Sequence, residues 1–238
     1  MRILSWNILH GGGSRTTEIL DAIERHEPDV VCLQEMRIGG LSERPLVDGL
    51  AELGLDEFFA PPTEAARDNA VAVASRFRLE EPLAWPPGDV RGLRVKVDLE
   101  TGTDFHLLVA HLPQKKAQVP YWEKLLELPK AEFLEGDALI VGDLNCGIPL
   151  VDSDVKTFSE TRYFQQMLRE GWVDAWRTRH PKAREYSWVS VKKGNGFRYD
   201  HALASPSLDP RIESIAYDHE VRENKASDHS ALILDLER

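Results

Sequence analysis

The chain has 238 residues, 42% hydrophobic and 29% charged, which suits a globular protein with one sizeable core. Its formal net charge of -11 weighs against a protein that coats nucleic acid indiscriminately, because phosphate neutralisation needs a basic surface; it leaves room for a nuclease whose carboxylates gather around a metal. No apolar run is long enough to span a bilayer, MRILSWNILHGG is too short and polar for a secretory signal, and Cys32 and Cys146 make no disulfide framework, so a cytoplasmic protein without membrane partners is expected.

RILSWNI begins with period-two alternation and predicts a first strand. Thr16 to His26 carries Ile19, Leu20 and Ile23 at helical spacing, with Pro28 beyond its end. DVVCLQ predicts a strand buried on both faces, with Cys32 a small buried hydrophobe. NAVAVASR is a further strand. LRVKVDL alternates and FHLLVAHL follows it, with Gly102 at the turn of a hairpin between them. A helical stretch runs from about Lys116 to Leu134, interrupted at Pro120 and Pro129. ALIVGDLN is an apolar strand entering a polar loop, and TRYFQQMLREG is a helix ending at Gly171. YSWVSV, RYDHALAS, RIESIAYD and SALILDL are four short strands. Neither a repeat nor a linker divides the sequence, so one domain over residues 1–238 is expected. Strand–helix–strand units at the start, with hairpins in the middle and at the end, suit an α/β sandwich: two mixed sheets flanked by helices, four layers in all.

Acids, amides and histidines stand at the strand ends, where α/β folds place sites. Asn7 ends the first strand, Glu35 follows VVCLQ, His111 ends FHLLVA, Asp143 and Asn145 follow ALIVG, Asp200 lies in RYDHALAS, and Asp228 and His229 precede the last strand. Singly, each has an ordinary explanation: a turn for Asn7 or GDLN, a surface acid for Glu35, a cap for SDH, a core histidine for His111. As a set they match what phosphate hydrolysis needs. Mg²⁺ takes a few carboxylate oxygens, which Glu35 and Asp228 can supply, and leaves its other positions to water and substrate phosphate. Asp143 and Asn145, two apart at a strand end, share a side and can hold a water. A histidine beside a carboxylate is held in one tautomer and charge state, ready for a phosphate oxygen. The sequence holds no Walker-type phosphate loop, so GGGS at 11–14 reads as a flexible loop, and it holds no zinc-spaced Cys/His cluster and no Gly-x-Ser-x-Gly elbow.

SWN, PDVVCLQE, GDLN and SDHSAL occur in the order of the endonuclease/exonuclease/phosphatase family. HEPDVVCLQE, KAQ at 116–118, GWVDAWR, YSWVSV, NGFRYDHALAS and NKASDHSALILDL resemble its exonuclease III and apurinic/apyrimidinic endonuclease branch over most of the chain. The resemblance implies a monomeric DNA nuclease of DNA repair that hydrolyses phosphodiesters with Mg²⁺, or Mn²⁺ as a substitute. It implies that Glu35 is the principal metal ligand, assisted by Asn7 and Asp228. Asp143 then positions or deprotonates the attacking water, and Asn145 orients phosphate and Asp143. His229 contacts the scissile phosphate with Asp200 as its partner. His111 takes a strand-end place held by Tyr in the repair enzymes and by His in other branches. Trp188 and Phe197 match the apolar walls of a pocket for a base-less sugar. Lys115, Lys116, Lys192, Lys193 and Arg198 adjoin these motifs and are the candidates for gripping further phosphates, although Arg198 shares a strand face with Asp200 and can instead be structural. Leu9 departs from the polar residue usual in the repair enzymes. The segments after His111 and GDLN are short for that branch, which weighs against abasic-site specificity. Two alternatives stay open: a phosphodiesterase or phosphatase acting on RNA, nucleotides or another small phosphoester, and a catalytically silent binding module.

Overall fold

The computed structural model describes residues 1–65, 67–99 and 104–237. β1 (Arg2–Asn7) leads through a 3₁₀ turn at Gly13–Arg15 into α1 (Thr16–His26), then β2 (Val30–Met36), α2 (Glu43–Glu52), β3 (Glu57–Phe59) and β4 (Ala70–Ser75). β5 (Arg78–Ala84), β6 (Gly92–Asp98) and β7 (Phe105–His111) follow. A 3₁₀ turn at Lys115–Gln118 precedes α3 (Val119–Leu126) and α4 (Lys130–Phe133). Next come β8 (Ala138–Asp143), α5 (Thr161–Arg169), β9 (Val173–Asp174), α6 (Ala175–Arg179), and the two-residue strands β10 (Trp188–Val189) and β11 (Gly196–Phe197). β12 (Asp200–Ala204), β13 (Ile212–Asp218), α7 (Glu220–Glu223) and β14 (Ala231–Leu236) complete the order.

Two six-stranded mixed sheets result, ordered β13-β14-β1-β2-β4-β3 and β5-β6-β7-β8-β12-β9. The period of two in each strand decides their faces. Ile3, Val30, Cys32, Val71 and Val73 from the first sheet meet Val95, Leu107, Val109, Leu139 and Val141 from the second in a shared core. The alternate residues Leu4, Trp6, Val31 and Leu33 point outward and are covered by Ile19 and Ile23 of α1 and Leu46 and Leu50 of α2. On the far side, Leu108 and Ile140 pack under Trp122 and Leu125 of α3, Phe133 of α4, and Phe164 and Met167 of α5. The fold is thus the four-layer sandwich that the sequence predicts. Among the described residues no helix is long and apolar enough to cross a membrane.

Several elements differ from expectation. α2 offers only Leu46 and Leu50 as buried residues, with Pro45 in its first turn, too short a stripe to stand out as helical. β5 is an edge strand with Leu79 its one buried side chain, and edge strands carry little hydrophobic pattern. β3, β9, α6 and α7 are also unanticipated, each five residues or shorter. The 116–134 stretch divides at its prolines: Pro120 sits in the first turn of α3 and Pro129 precedes α4. YSWVSV contracts to Trp188–Val189, because Val191, Lys192 and Lys193 occupy an exposed turn. β6 and β7 pair antiparallel as expected of a hairpin, while Gly102 lies outside the described residues.

Strand register then gathers the polar strand ends. In the second sheet β7 and β8 run parallel with His111 opposite Asp143, and antiparallel β12 sets Asp200 opposite Asp143 from the other side. In the first sheet β1 lies parallel to β2, with Asn7 opposite Gln34. β14 is antiparallel to β1, with Ser5 opposite Leu232, so Asp228 and His229 enter beside Asn7.

Arg198 requires a correction. It is fully buried, where a substrate contact needs access. Its Nε and Nη2 donate to Asp152 Oδ1 at 2.9 and 2.7 Å, and its Nη1 and Nη2 donate to Asp174 at 3.1 and 2.5 Å. Its guanidinium lies 5.0 Å from the Trp176 ring centroid. Burial pushes both carboxyls up, but Arg198 together with His201 and nearby hydrogen bonds more than offsets this, and both lie below their ordinary value. Arg198 thus fastens the approach to β12 onto α6 and the loop holding Asp152. Replacing it with Met leaves two buried carboxylates short of a counterion. Arg198→Met should cost about 3–5 kcal/mol in urea unfolding, while the KM measured where the variant remains folded should match the wild type.

Candidate active site

Glu35 reaches the cleft through a backbone distortion. The β2–β4 register shifts between Leu33 and Met36, and Glu35 has φ 61°, a left-handed conformation costing a non-glycine residue roughly 1–2 kcal/mol. Leu9 and His10 are left-handed too, at φ 54° and 55°, so the chain doubles back over Glu35. Hydrogen bonds hold this arrangement: Glu35 Oε2 accepts from the His10 amide at 2.9 Å and Asn69 Nδ2 at 3.0 Å, and Glu35 Oε1 accepts from Asn7 Nδ2 at 3.3 Å. The same Asn7 nitrogen donates to Asp143 Oδ2 at 3.0 Å, joining the two sheets, while Asn7 Oδ1 accepts from the Leu9 amide at 3.0 Å. Both ends of that amide are committed, with nitrogen toward the carboxylates, so Asn7 here organises the acids. Its neighbours fix His229: Trp6 Nε1 donates to the His229 carbonyl at 3.0 Å, and Ser227 Oγ donates to the Asn7 carbonyl at 2.6 Å. SWN and SDH are therefore two halves of one clasp.

In the second sheet, Gly142 allows Asp143 to sit against β7, because a Cβ there would lie 2.0 Å from the Ala110 carbonyl oxygen. Asp143 Oδ1 accepts from the Asn145 amide at 3.0 Å, and Asn145 Nδ2 donates to the Leu112 carbonyl at 2.9 Å. Nδ1 of His229 meets Asp200 Oδ2 at 2.8 Å, and its Nε2 stands 3.8 Å from Asp143 Oδ2. Nε2 of His111 lies 3.7 Å from Asp143 Oδ2 and 3.9 Å from Glu35 Oε1.

These contacts separate the protonation states. Burial raises Asp143 to about 7, with Asp200 adding to the effect and His229 opposing it. Burial lowers His229, but Asp200 and Asp143 more than offset that and raise it to about 10, making it an imidazolium at neutral pH. Asp200 is raised by burial and drawn further down by His229, to below its ordinary value. Burial brings His111 down to about 4, so its ring is neutral. Burial raises Glu35, yet its carboxyl lies below the ordinary value; with His111 neutral, the hydrogen bonds from His10 and Asn7 are what keep it ionised.

A cleft of about 350 Å³ is lined by Glu35, His111, Asp143, Asn145, Trp188, Asp228 and His229 from the predicted set. Asn7 and Asp200 stand just behind, through their bonds to Asp143 and His229. Lys115, Lys116, Lys192 and Lys193 are all exposed, on loops whose neighbours Gln114 and Trp188 line the cleft. Phe197 is displaced from the predicted wall: Tyr199 lines the cleft, and Phe197 stacks behind it at 5.0 Å with planes 10° apart. Sequence reasoning missed His10, Arg91 and Tyr199, which line the cleft, and Asn69, which bonds Glu35. Tyr199 could have been found by alternation from Phe197, and Asn69 as an amide opening NAVAVASR; His10 and Arg91 follow no pattern. A groove of about 610 Å³ shares His10 with the cleft and carries Arg37 and Arg67.

The donors here suit a hard divalent cation, which takes oxygen ligands. Asp228 Oδ2 accepts from Trp188 Nε1 at 3.0 Å, and Asp228 Oδ1 is buried with no hydrogen-bond partner among the described residues. A bare carboxylate oxygen is costly to bury, and a cation shared with Glu35 answers it. A second group, Asp143, Asp200 and His229, brings ligand atoms within 4.8 Å of one another. There the His229 imidazolium already stands between the two acids, so the Glu35 side is the better fit.

Comparison with known proteins agrees with this geometry. The chain is 25% identical to exodeoxyribonuclease III of Haemophilus influenzae over 98% of both proteins. Its fold is shared by an AP endonuclease from Archaeoglobus fulgidus, at TM-score 0.84 and 21% identity, and by a 3'-5' exonuclease from Neisseria meningitidis, at 0.82 and 22%, each covering 100% of both chains. The model of the endonuclease/exonuclease/phosphatase family matches residues 4–229, a span that contains every side chain of the cleft, and the chain belongs to that family.

Proposed function

We propose that this chain is a metal-dependent DNA nuclease that hydrolyses phosphodiesters with Mg²⁺ or Mn²⁺. The observation that carries this reading is the meeting, in one cleft, of Glu35 and Asp228 with an Asp143–Asn145 pair and a His229–Asp200 dyad. Glu35 and Asp228 hold the cation, which supplies positive charge for the phosphate and the leaving oxygen. Asp143, titrating near neutrality, is suited to take a proton from a water lying beside Asn145. The His229 imidazolium, kept charged by Asp200, donates to a phosphate oxygen and stabilises the charge that grows on it during in-line attack. Arg91 offers a second cation to the same phosphate, and neutral His111 shields Asp143 from Glu35 without adding charge. Trp188 and Tyr199 provide a wall for a sugar or base. A polymeric substrate is favoured by the adjoining groove with Arg37 and Arg67, which continues past the reacting position through His10. The exodeoxyribonuclease III relative points to DNA as that polymer.

Three outcomes test the reading. Glu35→Gln should lower turnover on every substrate by roughly two orders of magnitude or more without changing the circular dichroism spectrum. Wild-type rates in that variant, or in wild type with excess EDTA, would overturn the metal assignment. For the dyad, single and double variants should be non-additive: once His229→Ala has removed the imidazolium, adding Asp200→Asn should cost little more. Rate losses that simply multiply would count against the pairing. The third outcome concerns the substrate. Each phosphate gripped by a lysine contributes a log–log salt slope of about -0.9 to duplex binding. Neutralising Lys115, Lys116, Lys192 and Lys193 should flatten that slope and raise KM for duplex DNA while leaving kcat near wild type. A flat salt response on duplex DNA, with rapid cleavage of a small phosphodiester, would replace DNA by the smaller substrate.

A further inference from the structure

We infer that His10 is a nitrogen ligand of the Glu35 cation site, giving it a mixed oxygen and imidazole donor set that favours Mn²⁺ and the later first-row ions over Mg²⁺. The inference rests on reading the Glu35 cleft as the metal site. His10 Nδ1 stands 2.8 Å from Glu35 Oε2, and Asn69 Nδ2 lies 3.0 Å from each of those atoms. The Asn69 amide is oriented by its other end, because Oδ1 accepts from Arg37 Nε at 3.2 Å, so its NH₂ faces the pair.

Hydrogen bonds alone leave this trio crowded. If Nδ1 carries a hydrogen for Glu35, it and Asn69 Nδ2 both donate to Oε2, and the two nitrogens stand 3.0 Å apart with no bond between them. If Nδ1 is bare and accepts from Asn69, its ring nitrogen faces a carboxylate oxygen at 2.8 Å with no hydrogen between them. A shared cation removes the conflict, since a ring nitrogen and a carboxylate oxygen this close are placed as neighbouring ligands of one ion. The position is open to ions from solution: the His10 side chain is 55% exposed and that of Glu35 14%. His10 also lines the same cleft as Asp228, whose Oδ1 has no hydrogen-bond partner among the described residues. Glu35 and Asp228 alone form a hard oxygen set that Mg²⁺ satisfies. Imidazole suits softer first-row ions, and affinity for a given site rises from Mn²⁺ through Fe²⁺ and Co²⁺.

The test uses the full chain without nucleic acid, so it is independent of whether DNA is the substrate. Mn²⁺ and Mg²⁺ affinities are measured by calorimetry, and pulsed electron paramagnetic resonance reads nitrogen coupling to bound Mn²⁺. Wild type should show one imidazole coupling. His10→Ala should abolish it and weaken Mn²⁺ binding by roughly tenfold or more, with the Kd for Mg²⁺ moving by less than about threefold. Coupling that persists in His10→Ala would come from His111 or His229 and overturn the proposal, as would equal losses for the two metals. Wild type that binds Mn²⁺ with no nitrogen coupling would mean an ordinary His10–Glu35 hydrogen bond, overturning the proposal while leaving the Glu35 site standing. Mn²⁺ binding undiminished in Glu35→Ala would overturn both.

Discussion

Carboxylates crowded at the seam of two sheets set the terms for the rest of this structure. Asp143 and Asp200 bring oxygens within 4.8 Å of each other, both almost fully buried. Two like charges at that separation cost on the order of 3–4 kcal/mol at an effective dielectric of 20. The strain is relieved by the His229 imidazolium between them and by the Asn7 amide, which donates to Asp143 and Glu35 together. Removing either group exposes the repulsion, so the packing that orients Asn7 and His229 is as much a part of the site as the acids. Trp6 and Ser227 perform that orientation, one from β1 and the other from the loop before β14.

The sandwich supplies these contacts because each strand contributes little more than its last residue. Parallel β7 and β8 end together at His111 and Asp143, and antiparallel β12 begins where β8 ends. Two departures from regular structure complete the arrangement. Gly142 permits the close approach of β8 to β7, and the bulge at Glu35 turns an acid off the strand into the cleft. A regular strand would send Glu35 to one face of the sheet by simple alternation. The left-handed backbone at Glu35 and its hydrogen-bonded support at Leu9 and His10 are therefore strain placed where the chemistry is.

Much of this was legible in the sequence, for a physical reason. Strand ends followed by acids and amides leave a local signature, so Asn7, Glu35, His111, Asp143, Asn145 and Asp228–His229 could be located strand by strand, although each alone has an ordinary explanation and only the set, with the family resemblance, points to a site. The four-layer fold was legible because the inner strands carry apolar residues on both faces. What escaped depends on partners distant in sequence. Arg198 reads as a basic residue beside a site, and only the approach of Asp152 and Asp174 from 46 and 24 residues away makes it a buried structural cation. Phe197 reads as a wall residue and Tyr199 does not, yet Tyr199, two positions on, lines the cleft while Phe197 stacks behind it. Asn69 lies 34 residues from Glu35, immediately before β4, where nothing local names its partner.

The net charge of -11 looks at odds with a polyanionic substrate until the charges are placed. Glu35, Asp143, Asp200 and Asp228 gather around the cleft, opposed there by His229 and Arg91. Taken by themselves, these side chains are net negative and repel phosphate at the reacting position. Lys115, Lys116, Lys192 and Lys193 stand outside it on exposed loops, and Arg37 and Arg67 line the neighbouring groove, so attraction for a strand begins at the rim. On the reading proposed above, a divalent ion held by Glu35 and Asp228 reverses the sign at the centre. Cation and phosphate then bind with mutual reinforcement, because each lowers the electrostatic cost of the other by the same coupling free energy. On that same reading, the acidic side chains tie occupancy of the reacting position by phosphate to occupancy by the ion, and the bound phosphate strengthens the hold on the ion in return.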